Sequence, residues 1–397
     1  MTNSKKQKEN KVISHGTAKI FRYNAGVDAI IDGNSVQMAF LREYKGEKQT
    51  AMEYIWYSND NGKLVKRGIL VSGHGKYGVP TLKEYDVYVA LQRIFTNKRT
   101  KNGICELKTN DVKDEDLYIN FTISELAREL GYSTPSSTTR KNLKRSIEIL
   151  LATTVFSKYN GGIYDIRKKK YIEHTDTGIH LLETVQSKEI TDEDGEVVLD
   201  CNQIKLSRFT YDQILNDYKL FYNKNIYNKT KNLMARKIYH MALQWKGNNN
   251  FSYANINTLI EKIPMIDVED RYKKRDIKKA LKILNDKDMV KIKYDKINKD
   301  KVYFIFNGDE SEINTDELKK YNTYSEIKEA YFSYGFRLDE IDEYLDPENI
   351  RYIQALLRYI DSRMKNNSIT KIKSYIKKCI KNPIKKLNEK YYNQNIW

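Results

Sequence analysis

The chain has 397 residues, enough for two or three domains that each close a core. Its 70 Lys and Arg face only 53 Asp and Glu, and the formal charge of +17 favours a polyanionic partner, nucleic acid or an acidic membrane surface. Three cysteines far apart exclude a disulfide framework, and the lack of any window near ~18 apolar residues excludes a helical membrane span.

Taken in chain order, residues 1–15 (Lys5, Lys6, Lys8, Lys11) read as a disordered basic tail. Strands are expected at Ile20–Tyr23, Val36–Leu41, Glu53–Tyr57 and over 66–71, with turn chemistry at Asn59–Gly62. Gly78-Val79-Pro80 breaks the chain, and Thr81 caps a helix with a stripe of Tyr85, Tyr88, Val89, Leu91, Gln92 and Phe95. The polar stretch 100–116 reads as loop, and Leu117–Phe121 as a short strand. Thr122 or Ser124 caps a helix carrying Ile123, Leu126, Ala127 and Leu130, which Gly131 ends. Ser133-Thr134-Pro135 opens a basic helix, with Pro in the first helical position. A hairpin through Gly161-Gly162 and strands near 163–173, 178–186 and 196–206 follow, with a tight turn at Asp194-Gly195.

Helix, helix, then hairpin is the order of a winged helix, here with an enlarged wing. The unit recurs. Asn232–Trp245 is helical, and Ser252 or Asn255 begins a helix with Ile256, Leu259, Ile260 and Ile263 that Pro264 stops. A basic helix over 270–286 precedes a wing made of Met289–Tyr294 and Lys301–Phe306. Beyond Asn307-Gly308-Asp309 come helical segments with an acidic block (Asp339, Glu340, Asp342, Glu343, Asp346, Glu348), then a lysine-rich stretch over 365–390. The expected class is α+β: two tandem winged-helix domains with a small C-terminal helical domain. The expected bounds are 1–15 for the tail, 16–215 and 216–308 for the winged helices, and 309–397 for the helical part.

The two basic helices carry the functional reading. Arg140–Leu150 lines up without a gap on Lys274–Leu284, with basic residues matched at 140/274, 141/275, 144/278 and 145/279. Helical pitch puts Leu143, Ile147 and Leu150 on one face, and Ile277, Leu281 and Leu284 likewise, leaving a cationic ridge opposite. Such a helix suits the phosphate-lined major groove of duplex DNA. The candidate contacts are Ser136, Ser137, Thr138, Arg140, Lys141, Lys144 and Arg145 in the first unit. In the second they are Lys274, Arg275, Lys278, Lys279 and Lys282. Arg suits bidentate base reading and Lys a phosphate anchor. The bland alternative, an ordinary solvated helix face, applies to either helix singly and is weakened by duplication in matched contexts.

Other chemistry finds little support. Gly73-His74-Gly75-Lys76-Tyr77-Gly78 spells G-x-G-x-x-G, but Pro80 intervenes before the helix and Lys98-Arg99 stands where a ribose-binding acid belongs, so it reads as a turn. No Walker-type phosphate loop is present, and no His or Cys pair has metal-ligand spacing. No catalytic residue, metal or cofactor is therefore expected. The 31 Tyr supply candidates for a DNA-nicking nucleophile without a His cluster beside them. The lysine-rich start has no apolar run behind it, so a reducing cytoplasmic location is expected.

At Tyr77-Gly78-Val79-Pro80-Thr81, followed by Tyr85-Asp86-Val87-Tyr88-Val89-Ala90-Leu91, the chain resembles the replication initiator protein A group of plasmid and phage-borne initiators. The resemblance extends through Ile123-Ser124-Glu125-Leu126-Ala127, the basic helix after Pro135, and Ala235-Arg236-Lys237-Ile238-Tyr239, roughly over 15–307. It implies two winged-helix domains that bind repeated origin sequences in double-stranded DNA, start replication, often repress their own promoter, and recruit host helicase or primase. A homodimer is compatible with it, and membrane association is not expected. Ser368–Lys378 is similar to C-terminal segments of Gram-positive replication proteins, although the usual Asn-Pro before the Tyr is absent. A nicking or priming enzyme of a mobile element and a winged-helix transcription regulator stand as the alternatives.

Overall fold

The computed structural model describes residues 13–384 apart from 16–17, 44–46, 61–62, 174–177, 192–196, 248, 267, 296–299, 307–323, 345–349, 365–370 and 383. The chain opens with β1 (Ile13–His15), β2 (Ala18–Arg22), β3 (Asp28–Asp32), α1 (Gly33–Gln37), β4 (Ala51–Asp60) and β5 (Lys63–Ser72). Next come α2 (Leu82–Lys98), β6 (Thr100–Lys101), β7 (Ile104–Lys108), β8 (Tyr118–Phe121), α3 (Ile123–Glu129) and α4 (Ser137–Ala152). They are followed by β9 (Thr154–Tyr159), β10 (Ile163–Asp165), β11 (Lys170–Ile172), β12 (Ile179–His180), β13 (Leu182–Thr191) and β14 (Val197–Leu206). After α5 (Arg208–Leu215), β15 (Lys219–Asn223) and α6 (Lys224–Tyr227), the second unit runs α7 (Leu233–Lys246), β16 (Phe251–Asn255), α8 (Ile256–Lys262), α9 (Asp270–Asp286), β17 (Lys291–Tyr294) and β18 (Lys301–Ile305). The C-terminal part is α10 (Tyr324–Ser333), α11 (Leu338–Tyr344), α12 (Ile350–Met364) and α13 (Ile372–Lys381).

Two units share one topology. In the first, α2, β8, α3, α4, β13 and β14 follow in order, and the sheet runs β8-β14-β13. In the second, α7, β16, α8, α9, β17 and β18 follow, and the sheet runs β16-β18-β17. Three helices, with one strand of the sheet between the first and the second and a hairpin after the third, make a winged helix, present twice. The chain is α+β, tandem winged helices followed by a helical segment. Thr122 and Asn255 cap α3 and α8 through their side chains, accepting from Glu125 N and Asn257 N, which is why each helix starts where its strand ends.

Several local expectations change. Val36–Leu41 does not form a strand: the Asp32 side chain accepts from Ser35 N and caps α1, and a short apolar run cannot by itself choose between helix and strand. The strand is β3, paired antiparallel with β15. The stretch 100–116 contains β6 and β7; in β7, Cys105 and Leu107 are buried while Ile104 and Glu106 are not, a period of two masked by polar neighbours. Ser136, not a residue before Pro135, caps α4, so the proline lies outside the helix. Ile13–His15, the end of the expected tail, pair with β2, and residues 1–12 lie outside the described residues, as do the Asp194-Gly195 turn and Asn307-Gly308-Asp309. The expected enlarged wing separates into three parts: β13 and β14 are the wing, β10 and β11 pair as a sheet of their own, and β9 and β12 join a different sheet, β12-β9-β5-β4, built with the N-terminal hairpin.

α2 is buried on every side from Leu82 to Thr96 except at Lys83 because it serves two cores. Tyr88, Leu91 and Phe95 pack with α3 and α4, while Leu82, Tyr85 and Val89 join α1, α7 and α9. Its contact with α7 is polar at the centre. Buried Asp86 forms an ion pair with Arg236 and accepts from Tyr227 Oη at 2.6 Å. Fully buried Lys237 donates to the carbonyls of Ser35, Val36 and Met38 at 2.9, 2.9 and 3.0 Å, at the C-terminal end of α1. His240 stacks on Tyr227 with ring centroids 4.5 Å apart, and its Nδ1 meets Tyr85 Oη at 2.8 Å. The C-terminal helices close a separate core around Tyr331, Phe336, Leu356 and Ile360. Within that core's rim, Glu340 accepts from Lys373 at 2.6 Å and Lys377 at 2.9 Å, so the acidic block and the basic stretch neutralise one another in part.

Leu143, Ile147 and Leu150, like Ile277, Leu281 and Leu284, are buried as expected. Replacing Leu150 or Leu284 by Ala should therefore destabilise its unit by ~2–5 kcal/mol, measured by chemical denaturation. Burial pushes the His240 imidazole well below its ordinary pKa, with nearby Lys237, Arg93 and Arg236 adding to the effect. Above about pH 6.5 the ring is neutral both folded and unfolded; below it only the unfolded chain takes the proton, so stability should fall with pH from there downward. His240→Gln should flatten that limb of the stability–pH curve even where it lowers stability overall.

Candidate nucleic-acid interface

Each basic helix is fixed from behind by its apolar stripe, and from the side by the wing. On the first unit the Ser136 side chain accepts from Thr139 N at 3.2 Å and starts α4, leaving Ser137 and Thr138 exposed on the first turn. Ser146, fully buried on the α2 side, donates to Glu84 Oε1 at 2.8 Å. The same Glu84 closes a capping box with Thr81 at the start of α2. One carboxylate thus sets the phase of α4 and the entry of α2.

An aspartate of the wing stands at the same place in both units. Asp200 on β14 lies beside the start of α3, where its Oδ2 accepts from Ile123 N at 3.3 Å. Asp300, immediately before β18, lies beside the start of α8, where its carbonyl accepts from Ile256 N at 2.8 Å. Asp200 pairs with Arg140 at 3.3 Å, and Asp300 pairs with Lys274 at 2.6 Å and Lys278 at 3.7 Å. Arg140 and Lys274 are the aligned pair of the two helices. An acid at one register position of the third strand therefore grips one position of the third helix, twice in the chain. Arg140 also donates to Ser124 Oγ at 2.9 Å, so its fork is engaged on two sides.

These contacts sort the expected DNA-facing residues. Arg140 and Lys274 tie helix to wing, and Lys278 shares the Asp300 carboxylate. Lys282 pairs with Asp286 one turn on, an exposed i, i+4 pair of small energetic weight. Arg275 is exposed, 3.4 Å from Asp276 and against the Tyr272 ring. Lys144 is half-buried. Lys141, Arg145 and Lys279 are exposed and form no ion pair among the described residues. Arg145 and Lys279 occupy aligned positions, so both helices keep an uncompensated cation at the same place. The outer face of α9 is a shallow basic depression lined by Arg271, Lys274, Arg275, Lys278, Lys279 and Lys282. Arg271 belongs to this face one turn earlier than the alignment suggested; it sits over Tyr272 at 4.6 Å.

Sequence reasoning did not find Asp200 or Asp300, because an acid beside a basic helix carries no signal until strand register brings the two together. Among the described residues no group of three or more His, Cys, Asp or Glu is placed to hold a metal ion. No described helix is long and apolar enough to cross a membrane.

Against known proteins, no family model matches the sequence, and no curated protein matches it significantly. Solved structures do align. One is the crystal structure of selenomethionine derivatives of domains 2 and 3 of RctB, 12% identical, covering 70% of this chain and 97% of that one, with a TM-score of 0.44. Another is the crystal structure of Pi initiator protein in complex with iteron DNA, 14% identical, covering 66% of this chain and 100% of that one, with a TM-score of 0.36.

The two wing acids differ in exposure, which fixes the size of their effects. Asp200→Ala strands Ile123 N, Asn202 and Arg140 at a nearly closed site and should destabilise the first unit by about 1–3 kcal/mol. Asp300→Asn, whose side chain is 25% exposed, should change stability by less than about 1 kcal/mol. Urea titration of both variants measures the contrast.

Proposed function

We propose that this protein is a sequence-specific double-stranded DNA-binding replication initiator of a plasmid or other mobile element. The observation that supports this reading is the duplicated winged helix in which both third helices, α4 and α9, carry exposed cations at aligned positions on a rigidly held outer face. In this reading α4 and α9 enter successive major grooves, and the wings touch flanking phosphates or the minor groove. Occupation of neighbouring origin repeats would bend the DNA and open an adjoining AT-rich segment. The helical part beyond residue 323 is then free to recruit host helicase or primase. The protein supplies binding energy and no catalytic step.

A footprint on the DNA flanking the gene, followed by binding assays on that site, tests the proposal. Arg275→Glu with Lys278→Glu should abolish specific binding without unfolding the protein, because both side chains are exposed and Lys274 keeps its contact with Asp300. Unchanged affinity would remove α9 as a reader. Wild-type affinity should fall ~10³-fold or more between 50 and 200 mM salt if about six phosphates are contacted. Nicks or covalent Tyr–DNA adducts after incubation with supercoiled origin DNA and Mg²⁺ would instead establish an enzyme. Failure of a plasmid carrying only this gene and its upstream DNA to replicate would leave a transcription regulator.

A further inference from the structure

The Gly73–Gly78 turn, which resembled a nucleotide motif in sequence, is a built structure next to α4. Two backbone hydrogen bonds close it, His74 N to Gly78 O at 3.0 Å and Gly78 N to His74 O at 2.7 Å. Its stem is pinned to the chain before β4, Gly73 N donating to Thr50 O at 2.8 Å and Val79 N to Gln49 O at 2.9 Å. A side chain at Gly73 would run into the Gly78 carbonyl, and Gly78 has a φ of 82°, so both ends require glycine. Inside the turn His74 Nδ1 accepts from Lys76 N at 3.0 Å, and the His74 and Tyr77 rings lie 4.7 Å apart. Its exit leads through Pro80 into the Thr81–Glu84 capping box, and Glu84 holds Ser146 of α4. Turn and helix are thus fixed relative to each other.

What this frame holds together is positive charge. Around the Tyr77 ring centroid lie the Arg145 guanidinium at 5.3 Å, Lys76 Nζ at 5.5 Å and Lys48 Nζ at 5.7 Å. None of the three forms an ion pair among the described residues, in contrast to Arg140, Lys274, Lys278 and Lys282 on the reading helices. Lys83, half-buried, adds a fourth cation close to Arg145, and burial holds its ammonium below the usual lysine pKa. Glu84 offsets Lys83 in part, but it forms no ion pair with Lys48, Lys76 or Arg145 among the described residues. Like charges gathered on one ring repel at close range, and an anion placed between them removes that repulsion.

We infer that Lys48, Lys76 and Arg145, arranged around Tyr77, form a clamp for the sugar–phosphate backbone of a DNA duplex, on the strand that borders the groove entered by α4. The inference rests on the DNA-binding reading of α4, since Arg145 belongs to both the helix and the clamp. Ammonium groups on the turn and on the segment pinned to it hold phosphates without regard to sequence, so the clamp supplies affinity and register, not base choice.

The test is Lys48→Gln with Lys76→Gln in the full chain, two exposed positions outside the reading helices. Binding is followed by fluorescence anisotropy on the flanking-DNA duplex and on a mixed-sequence duplex, from 50 to 200 mM salt. The slope of log affinity against log salt should fall by about 2, roughly 0.9 for each phosphate no longer neutralised, equally for both duplexes. An unchanged slope, while Arg275→Glu with Lys278→Glu still abolishes specific binding, overturns the clamp and leaves the DNA reading standing; a clamp meant for an acidic peptide would give this result. A weaker slope confined to the flanking-DNA duplex overturns it too, because the turn would then read sequence. If the wild type binds neither duplex, the DNA reading fails and the clamp with it.

Discussion

The arrangement depends on one buried ion pair. Asp86 on α2 and Arg236 on α7 meet where the first helices of the two winged helices cross, with Tyr227 donating to the same carboxylate and Thr230 accepting from Arg236 Nε at 2.8 Å. A buried pair of this kind contributes little net stability against an apolar substitute, but losing one partner leaves an uncompensated charge worth several kcal/mol. Its physical effect is therefore selective. The docking of α2 on α7 satisfies both charges, and with Lys237 capping α1 beside it, polar contacts hold the units together alongside the apolar packing of Leu82, Tyr85 and Val89. The proposed function would use that property, because two helices could enter successive grooves only if their spacing were constant.

The net charge of +17 is consequently a poor measure of the binding surface. Arg93, Arg236 and Lys237 are buried and serve the interior. Arg140 and Lys274 anchor wings, and Lys373 and Lys377 bracket Glu340. Among the described residues, cations in no ion pair include Arg145 and Lys279 at aligned positions of α4 and α9, and Lys48 and Lys76 around Tyr77. Placement of these cations on the outer faces of the two helices and beside α4, and not the total charge, defines the candidate interface.

The duplication is legible in the sequence because it lives in periodicity. Ile147 and Leu281 fall inward for the same reason, the pitch of a helix with apolar residues every three or four positions. Capping residues such as Thr81, Thr122 and Asn232 fix helix starts through short-range chemistry that needs only local sequence. The strand expected over Val36–Leu41 fails because its apolar run is ambiguous and Asp32 tips it to a helix. β7 escapes a sequence reading because only Cys105 and Leu107 point inward, and β16 because its inward residues are the small Ser252 and Ala254, set between Phe251 and Tyr253 on the opposite face.

Local sequence by itself determined the α+β class, the tandem winged-helix order and the cationic faces of the two basic helices, since each follows from spacing within a few turns of chain. Only the tertiary structure decided which cations are free. Asp200 reaches Arg140 from 60 residues away, and Asp86 reaches Arg236 from 150. It also set a glycine-rich turn beside α4, where Lys76 and Tyr77 of the turn meet Lys48 and Arg145 from elsewhere in the chain. Electrostatic partnership acts over a few ångströms in space and is indifferent to separation along the chain, so no reading of neighbours in sequence could have assigned it.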